Sequence, residues 1–183
     1  MPPKISIFGS SRATEDQPVY RDAMRLGRTL AEAGFVIVNG GYGGLMEATS
    51  AGAAEAGGHV IGVTAPQAFP DRKGVNESVT AEEPVDTIAA RIARIVDISD
   101  ATITLPGSIG TLAEFIVSWN TCFVAPLSGG QPKPNIVVGP TWRRLVDQIS
   151  DEIGADRSLV TCVDSMSEAA ETVKARFGML GTD

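Results

Sequence analysis

Short runs of β-branched and apolar residues alternate with amphipathic stretches from one end of the chain to the other, which is the rhythm of repeated βαβ units. Lys4–Phe8 predicts a first strand. Residues 18–33 predict a helix with Tyr20, Met24, Gly27, Leu30 and Ala31 facing inward, and Arg21, Asp22, Arg25, Arg28 and Glu32 outside. Gly34 stops that helix, 35–39 predicts a second strand, and 45–56 an alanine-rich helix ended by Gly57 and Gly58. Residues 59–64 predict a third strand. The pattern loosens over 65–83, where Pro66, Pro70 and Gly74 mark a lid or specificity loop and 75–80 predicts a short extra strand. Helical period returns at 87–98, followed by a strand at 101–105, an apolar helix at 111–123 and a strand at 135–138. A helix at 141–153, a strand at 159–163 and a helix at 167–177 complete the series. The fold class predicted is α/β, a Rossmann-like doubly wound and mainly parallel sheet with helices on both faces, in one domain over residues 1–183.

Composition agrees with that assignment and narrows the chemistry. The chain has 183 residues, 43% of them hydrophobic, enough to bury roughly 70% of its unfolded surface without metals or disulfides. Fifteen basic against twenty-two acidic side chains leave a net charge of -7, which opposes binding to a nucleic acid polymer, so an anionic ligand must be gripped locally. No apolar run is long enough to span a membrane, and the opening residues lack the pattern of a secretory leader, so a cytoplasmic protein with no membrane association is expected. Cys122 and Cys162 lack CxxC spacing, and His59 is the only histidine, so no metal site is expected and His59 is read as structural. Of Lys4, Lys73, Lys133 and Lys174, none follows a glycine loop where a Schiff-base lysine would be needed, which excludes pyridoxal phosphate chemistry; no cofactor is expected.

Position makes the glycines informative. Gly9-Ser10-Ser11 follows the first strand, Gly40-Gly41-Tyr42-Gly43-Gly44 the second, and Pro106-Gly107-Ser108-Ile109-Gly110-Thr111 the strand at 101–105. In a doubly wound sheet these three turns share the carboxyl edge, and if the strands at 4–8 and 101–105 are neighbours they surround one crevice. Two of them open helices, whose N-termini offer unpaired N–H groups to a phosphate. Neither G-x-G-x-x-G nor G-x-x-x-x-G-K-[ST] occurs, and Asn39-Gly40 stands where a dinucleotide enzyme offers Asp or Glu to the ribose, so a single phosphate on a small nucleotide fits best.

Thr111-Leu112-Ala113-Glu114 matches the S/T-x-x-E capping box, with Thr111 capping the helix and Glu114 reaching back to the backbone. The alternative is functional: a carboxylate in the first turn, held ionised by the helix dipole, would stabilise an oxocarbenium-like sugar and orient water. Arg91 and Arg94 lie one turn apart among Ile88, Ile92, Ile95 and Ile98, either as surface arginines or as an anchor for a substrate. Arg12 is a further phosphate candidate.

These segments resemble the Lonely Guy family, long mislabelled as lysine decarboxylases. The resemblance is carried by Phe8-Gly9-Ser10-Ser11, by Gly40 to Glu47 and by Leu105 to Glu114, the last similar to the family's P-G-G-x-G-T-x-x-E element. It implies a phosphoribohydrolase that cuts a nucleoside 5'-monophosphate, AMP or a cytokinin riboside phosphate, into free base and ribose 5-phosphate. It further implies Glu114 and Arg91 as catalytic residues, and a phosphate site drawn from Gly9, Ser10, Arg12, Gly41, Gly43, Gly107, Ser108, Gly110 and Thr111. Ser108 replaces a family glycine and Ile92 a lysine; both favour the alternative of a non-catalytic carrier for a phosphorylated ligand such as molybdenum cofactor, a role known among relatives of this fold. The helix at 111–123 carries Phe115, Trp119 and Phe123 beside Leu112 and Ile116, apolar around most of its circumference, and the family implies a homodimer built on it.

Overall fold

The computed structural model describes residues 1–72 and 74–178. In chain order they form β1 (Lys4–Phe8), α1 (Pro18–Glu32), β2 (Val36–Asn39), α2 (Leu45–Glu55), β3 (Val60–Thr64), β4 (Ala81–Pro84), α3 (Ile88–Asp97), β5 (Ala101–Thr104), α4 (Ile109–Val124), β6 (Asn135–Val138), α5 (Pro140–Ile153), β7 (Thr161–Val163) and α6 (Met166–Arg176). Among the described residues the strands make one all-parallel sheet in the order β4-β3-β2-β1-β5-β6-β7. The chain reverses its direction of winding between β4 and β5, so β1 and β5 are neighbours and the crevice above them is the switch point of the fold.

Alternation along β1 and β5 assigns the two layers. Ile5, Ile7, Ala101 and Ile103 pack toward α1, α2 and α6, whereas Phe8 and the α3 residues Ile95 and Val96 share a cluster on the opposite face. Phe115, Trp119, Trp142 and Val146 of α4 and α5 close that second layer over Val137. On the face beneath α4 a polar row crosses the sheet: Ser6 is in register with Thr102, and Thr102 with Asn135. The Thr102 hydroxyl lies 3.0 Å from both Ser118 Oγ and Asn135 Oδ1, and Ser6 donates to the Ile95 carbonyl at 2.9 Å. One pleat further on, the buried Thr104 hydroxyl has no partner among the described residues. Thr104→Val keeps the shape and removes an unsatisfied donor, so it is expected to stabilise the chain by about 1 kcal/mol in urea unfolding; a loss of stability would show that the hydroxyl is satisfied in solution.

Two glycines let α1 and α2 touch through their backbones. A Cβ on Gly27 would lie 2.1 Å from the Thr49 carbonyl oxygen, and one on Gly52 would lie 1.8 Å from that of Met24. On α1 the buried stripe is Tyr20, Ala23, Leu26, Gly27 and Leu30, so the expected positions Met24 and Ala31 flank the core and do not centre it.

The extra strand is not at 75–80, where β-branching predicts it. Asn76 turns the chain there: its amide donates to Gly41 O at 2.7 Å, its side chain reaches Gly41 O and Tyr42 O, and Ser78 N returns to its Oδ1. The edge strand is the polar Ala81–Pro84, and the carboxylates and proline there suit an edge with no further partner.

Candidate active site

The turn after β1 is tied to its neighbours by the backbone. Ser10 N donates to Pro106 O at 3.0 Å, and Leu45 N donates to Ser10 O at 2.8 Å, so the three glycine turns meet at one rim. Gly44, at φ +75°, opens α2 where a Cβ would strike the Ser10 carbonyl, a conformation and an approach that only glycine allows.

The α4 N-terminus differs from the capping box expected. The helix begins at Ile109, its N-cap is Ser108 with no side-chain bond, and Thr111 already lies within the first turn. Leu112 N is the first amide to be satisfied, by Ser108 O at 2.9 Å, which leaves Ile109, Gly110 and Thr111 with N–H groups unpaired among the described residues. Ser108 itself has φ -116°, extended backbone that serine adopts freely, so its replacement of glycine does not distort the loop. Gly107 is the position that needs glycine, because a Cβ there would lie 2.2 Å from Thr111 Oγ1.

The turns enclose a crevice of about 160 Å³ lined by Gly9, Ser108, Gly110, Thr111, Arg91 and Glu114, with Ser11, Met46, Phe69 and Arg72 completing its wall. Glu114, one turn beyond Thr111, is 8% exposed, and Arg91 is 7% exposed. Arg91 Nη1 stands 3.8 Å from Glu114 Oε1, its Nε donates to Val63 O at 2.8 Å, and its guanidinium carbon lies 5.4 Å from the Tyr42 ring centroid. Gly40 makes the seat for that guanidinium, since a Cβ there would fall 1.5 Å from Arg91 Nη2.

Electrostatics corrects a further expectation, that Glu114 is a permanently ionised carboxylate. Burial pushes its pKa up to about 7, against the opposing pull of Arg91, and its position beyond the first turn weakens the helix dipole's hold. Burial likewise lowers the pKa of Arg91, Glu114 and Tyr42 oppose that shift, and the nearby Arg72 adds to it. A carboxyl poised near neutrality beside a buried cation can both take and return a proton.

Other expected residues lie elsewhere. Arg12 is exposed and absent from the crevice wall; only its backbone N–H engages the rim, donating to Ser10 Oγ at 3.1 Å. The Gly41 amide donates to Asn39 Oδ1 at 2.8 Å, and the Ser10 amide is held by Pro106, so neither is available to a phosphate; Gly43 lines an adjoining cavity. Arg94 pairs with Glu83 at the surface at 2.7 Å. His59 is exposed, meeting Thr80. Phe69 and Arg72 are additions from the 65–83 loop, where no periodicity marks them. Among the described residues no cluster of His, Cys, Asp and Glu could hold a metal ion, and no helix is long and apolar enough to cross a membrane.

Comparison with known proteins agrees with this fold. The model of the SLOG cluster4 family matches residues 2–127. An uncharacterized protein of Archaeoglobus fulgidus is 35% identical over 116 residues, covering 63% of this chain and 72% of that protein. The cytokinin riboside 5'-monophosphate phosphoribohydrolase LOG of Oryza sativa subsp. japonica is 38% identical over 104 residues, covering 55% of this chain and 43% of its own length. The chain spans about half the length of the curated phosphoribohydrolases it matches. Among solved structures, the molybdenum cofactor binding protein of Rippkaea orientalis superposes with a TM-score of 0.75 at 25% identity, covering 97% of this chain and 98% of that one.

Proposed function

Since the chain belongs to the SLOG cluster4 family, we propose that it hydrolyses the N-glycosidic bond of a nucleoside 5'-monophosphate, AMP or a cytokinin riboside phosphate, to free base and ribose 5-phosphate. The observation that carries this reading is the uncapped start of α4 in one crevice with Glu114 and Arg91. The free amides of Ile109, Gly110 and Thr111 offer convergent donors to a dianionic phosphate at a positive helix end. A 5'-phosphate anchored there leaves the sugar beside Glu114.

In the reaction the C1'–N bond breaks, its electron pair leaves with the base, and a water oxygen bonds to C1'. Glu114 stabilises the oxocarbenium-like ribosyl centre and accepts the proton that water releases; that proton then neutralises the departing base. Arg91 orients the substrate and holds Glu114 in place. The named relatives support this chemistry at the level of the family. Ile116, Val117, Phe123 and Val124 form an exposed apolar flank on α4, which suits the homodimer included in this reading.

Purified protein incubated with AMP and a cytokinin riboside phosphate is expected to release free base, detected by chromatography, over many turnovers. No base released across a panel of nucleoside monophosphates would overturn the reading.

A second reading, a carrier of molybdenum cofactor or a similar phosphorylated ligand, has one observation in its favour. The Rippkaea orientalis protein matches over nearly the full length of both chains, whereas the curated hydrolases match over part of theirs. Mass spectrometry of ligand released on denaturation, with no turnover of nucleotides, would establish it.

A further inference from the structure

The polar row beneath α4 ends in a hydroxyl whose place relative to Glu114 follows from register. α4 leaves the carboxyl edge of the sheet and runs back over β1, β5 and β6, opposite in direction to the strands. Thr102 Oγ1 and Ser118 Oγ, 3.0 Å apart, form one rung between strand and helix. Four residues back along α4 from Ser118, about 6 Å of rise, stands Glu114. Two residues on along β5 from Thr102, about 6.6 Å and on the same face, stands Thr104. The two steps match, so Glu114 and Thr104 form the next rung.

Among the described residues neither member of that rung has a hydrogen bond. The Thr104 hydroxyl is fully buried and unpartnered, and its cross-strand neighbours, Phe8 and Val137, offer it no side-chain acceptor. Glu114, also buried, meets Arg91 at 3.8 Å, beyond hydrogen-bond reach. The charged and titratable groups facing Glu114 are Arg91 from α3, with Tyr42 behind it, and Arg72 from the 65–83 loop; the sheet beneath presents the neutral Thr104. A buried donor left unpaired costs stability, and a carboxylate on the adjoining rung is the acceptor that offsets it.

We propose that Thr104 is a positioning residue for Glu114: its hydroxyl donates to the carboxylate once the carboxyl has lost its proton, and fixes the direction in which that carboxylate faces the sugar. Rotation about the side-chain bonds of either residue brings the two groups together. The role rests on the reading of Glu114 as the proton acceptor in the crevice, whereas the bond itself is a property of the folded chain. A hydroxyl donates more strongly to a charged carboxylate than to a neutral carboxyl, so the bond favours ionisation against burial.

Isotope labelling of the glutamate side chains lets the Glu114 carboxyl be titrated by NMR in the full chain, its signal identified by its disappearance in Glu114→Gln. Thr104→Val, which keeps the shape and removes the donor, is expected to raise the midpoint by about one unit, and Thr104→Ser, which keeps the hydroxyl, to hold it near the parent value. The rise of base release with pH should shift by the same unit in Thr104→Val, giving about tenfold slower release on the acid side at unchanged KM. Urea unfolding needs no substrate: the stability gained by Thr104→Val should be present at pH 5 and cancelled at pH 8, because the higher folded midpoint lets this variant lose more stability as pH rises. A midpoint that stays put in Thr104→Val, or moves equally in Thr104→Ser, overturns the bond. A midpoint that moves while the pH profile of release does not overturns the positioning role. A midpoint that moves as expected in a chain that releases no base leaves the bond standing and removes the hydrolase reading alone.

Discussion

Replacing Glu114 with glutamine is expected to lower base release at least ~10³-fold while making the folded chain more stable above neutral pH. The two effects share one cause. Glu114 titrates near 7 in the folded chain against an ordinary value of 4.5, because burial disfavours its charged form. Between those values the folded state holds a proton that the unfolded state has released, so parent stability falls as pH rises from about 4.5 and levels off above about 7. The loss approaches about 3 kcal/mol, since each pKa unit corresponds to about 1.4 kcal/mol. Glutamine cannot ionise and escapes it. Urea unfolding at pH 5 and pH 8 should therefore show the variant near the parent at the lower pH and clearly above it at the higher. An equal difference at both would mean that Glu114 is not desolvated as described. Release by the parent should rise with pH through about 7 as the carboxyl becomes able to accept a proton, and a rate independent of pH over that interval would remove Glu114 as the proton acceptor.

Gly40→Ala is expected to reduce release about 10²-fold by displacing Arg91, although Gly40 itself does not line the crevice. The added methyl would lie 1.5 Å from Arg91 Nη2 and 2.7 Å from Met46 Sδ, so the guanidinium must leave its seat. Its Nε bond to Val63 O and its approach to Glu114 are both at risk. Because a side-chain end can give way where a backbone cannot, the stability change should stay within about 1–3 kcal/mol, the usual range for overpacking. A folded variant that retains parent activity would show that Arg91 need not occupy its observed position.

The doubly wound architecture was legible because each strand and helix declares its period, and because three glycine turns recur at carboxyl ends of strands. Glu114 and Arg91 were legible as residues, but their environment was not. Four-residue spacing fits a capping box equally well, and only the actual start of α4 at Ile109 removes Glu114 from the first turn and into a buried crevice. Arg91 and Arg94 look alike in the chain, yet the register of α3 buries the first and sends the second to Glu83 at the surface. β-Branching favoured 75–80 as a strand, but hydrogen bonds from Asn76 to the second glycine turn, more than thirty residues away, fold it into a wall. Phe69 and Arg72 left no periodic trace because a loop that packs through stacking has none to leave.

The site divides into a floor and a roof with different origins. Its floor is cross-laced between β1, β5 and α2 through Ser10, so altering one turn there disturbs two others. Its roof is a single excursion between β3 and β4, pinned at Asn76 and at the Phe69 ring. Mechanically the two are decoupled: the covering segment can be rebuilt without cutting the lacing through Ser10, whereas a change at Ser10 loosens both neighbouring turns at once.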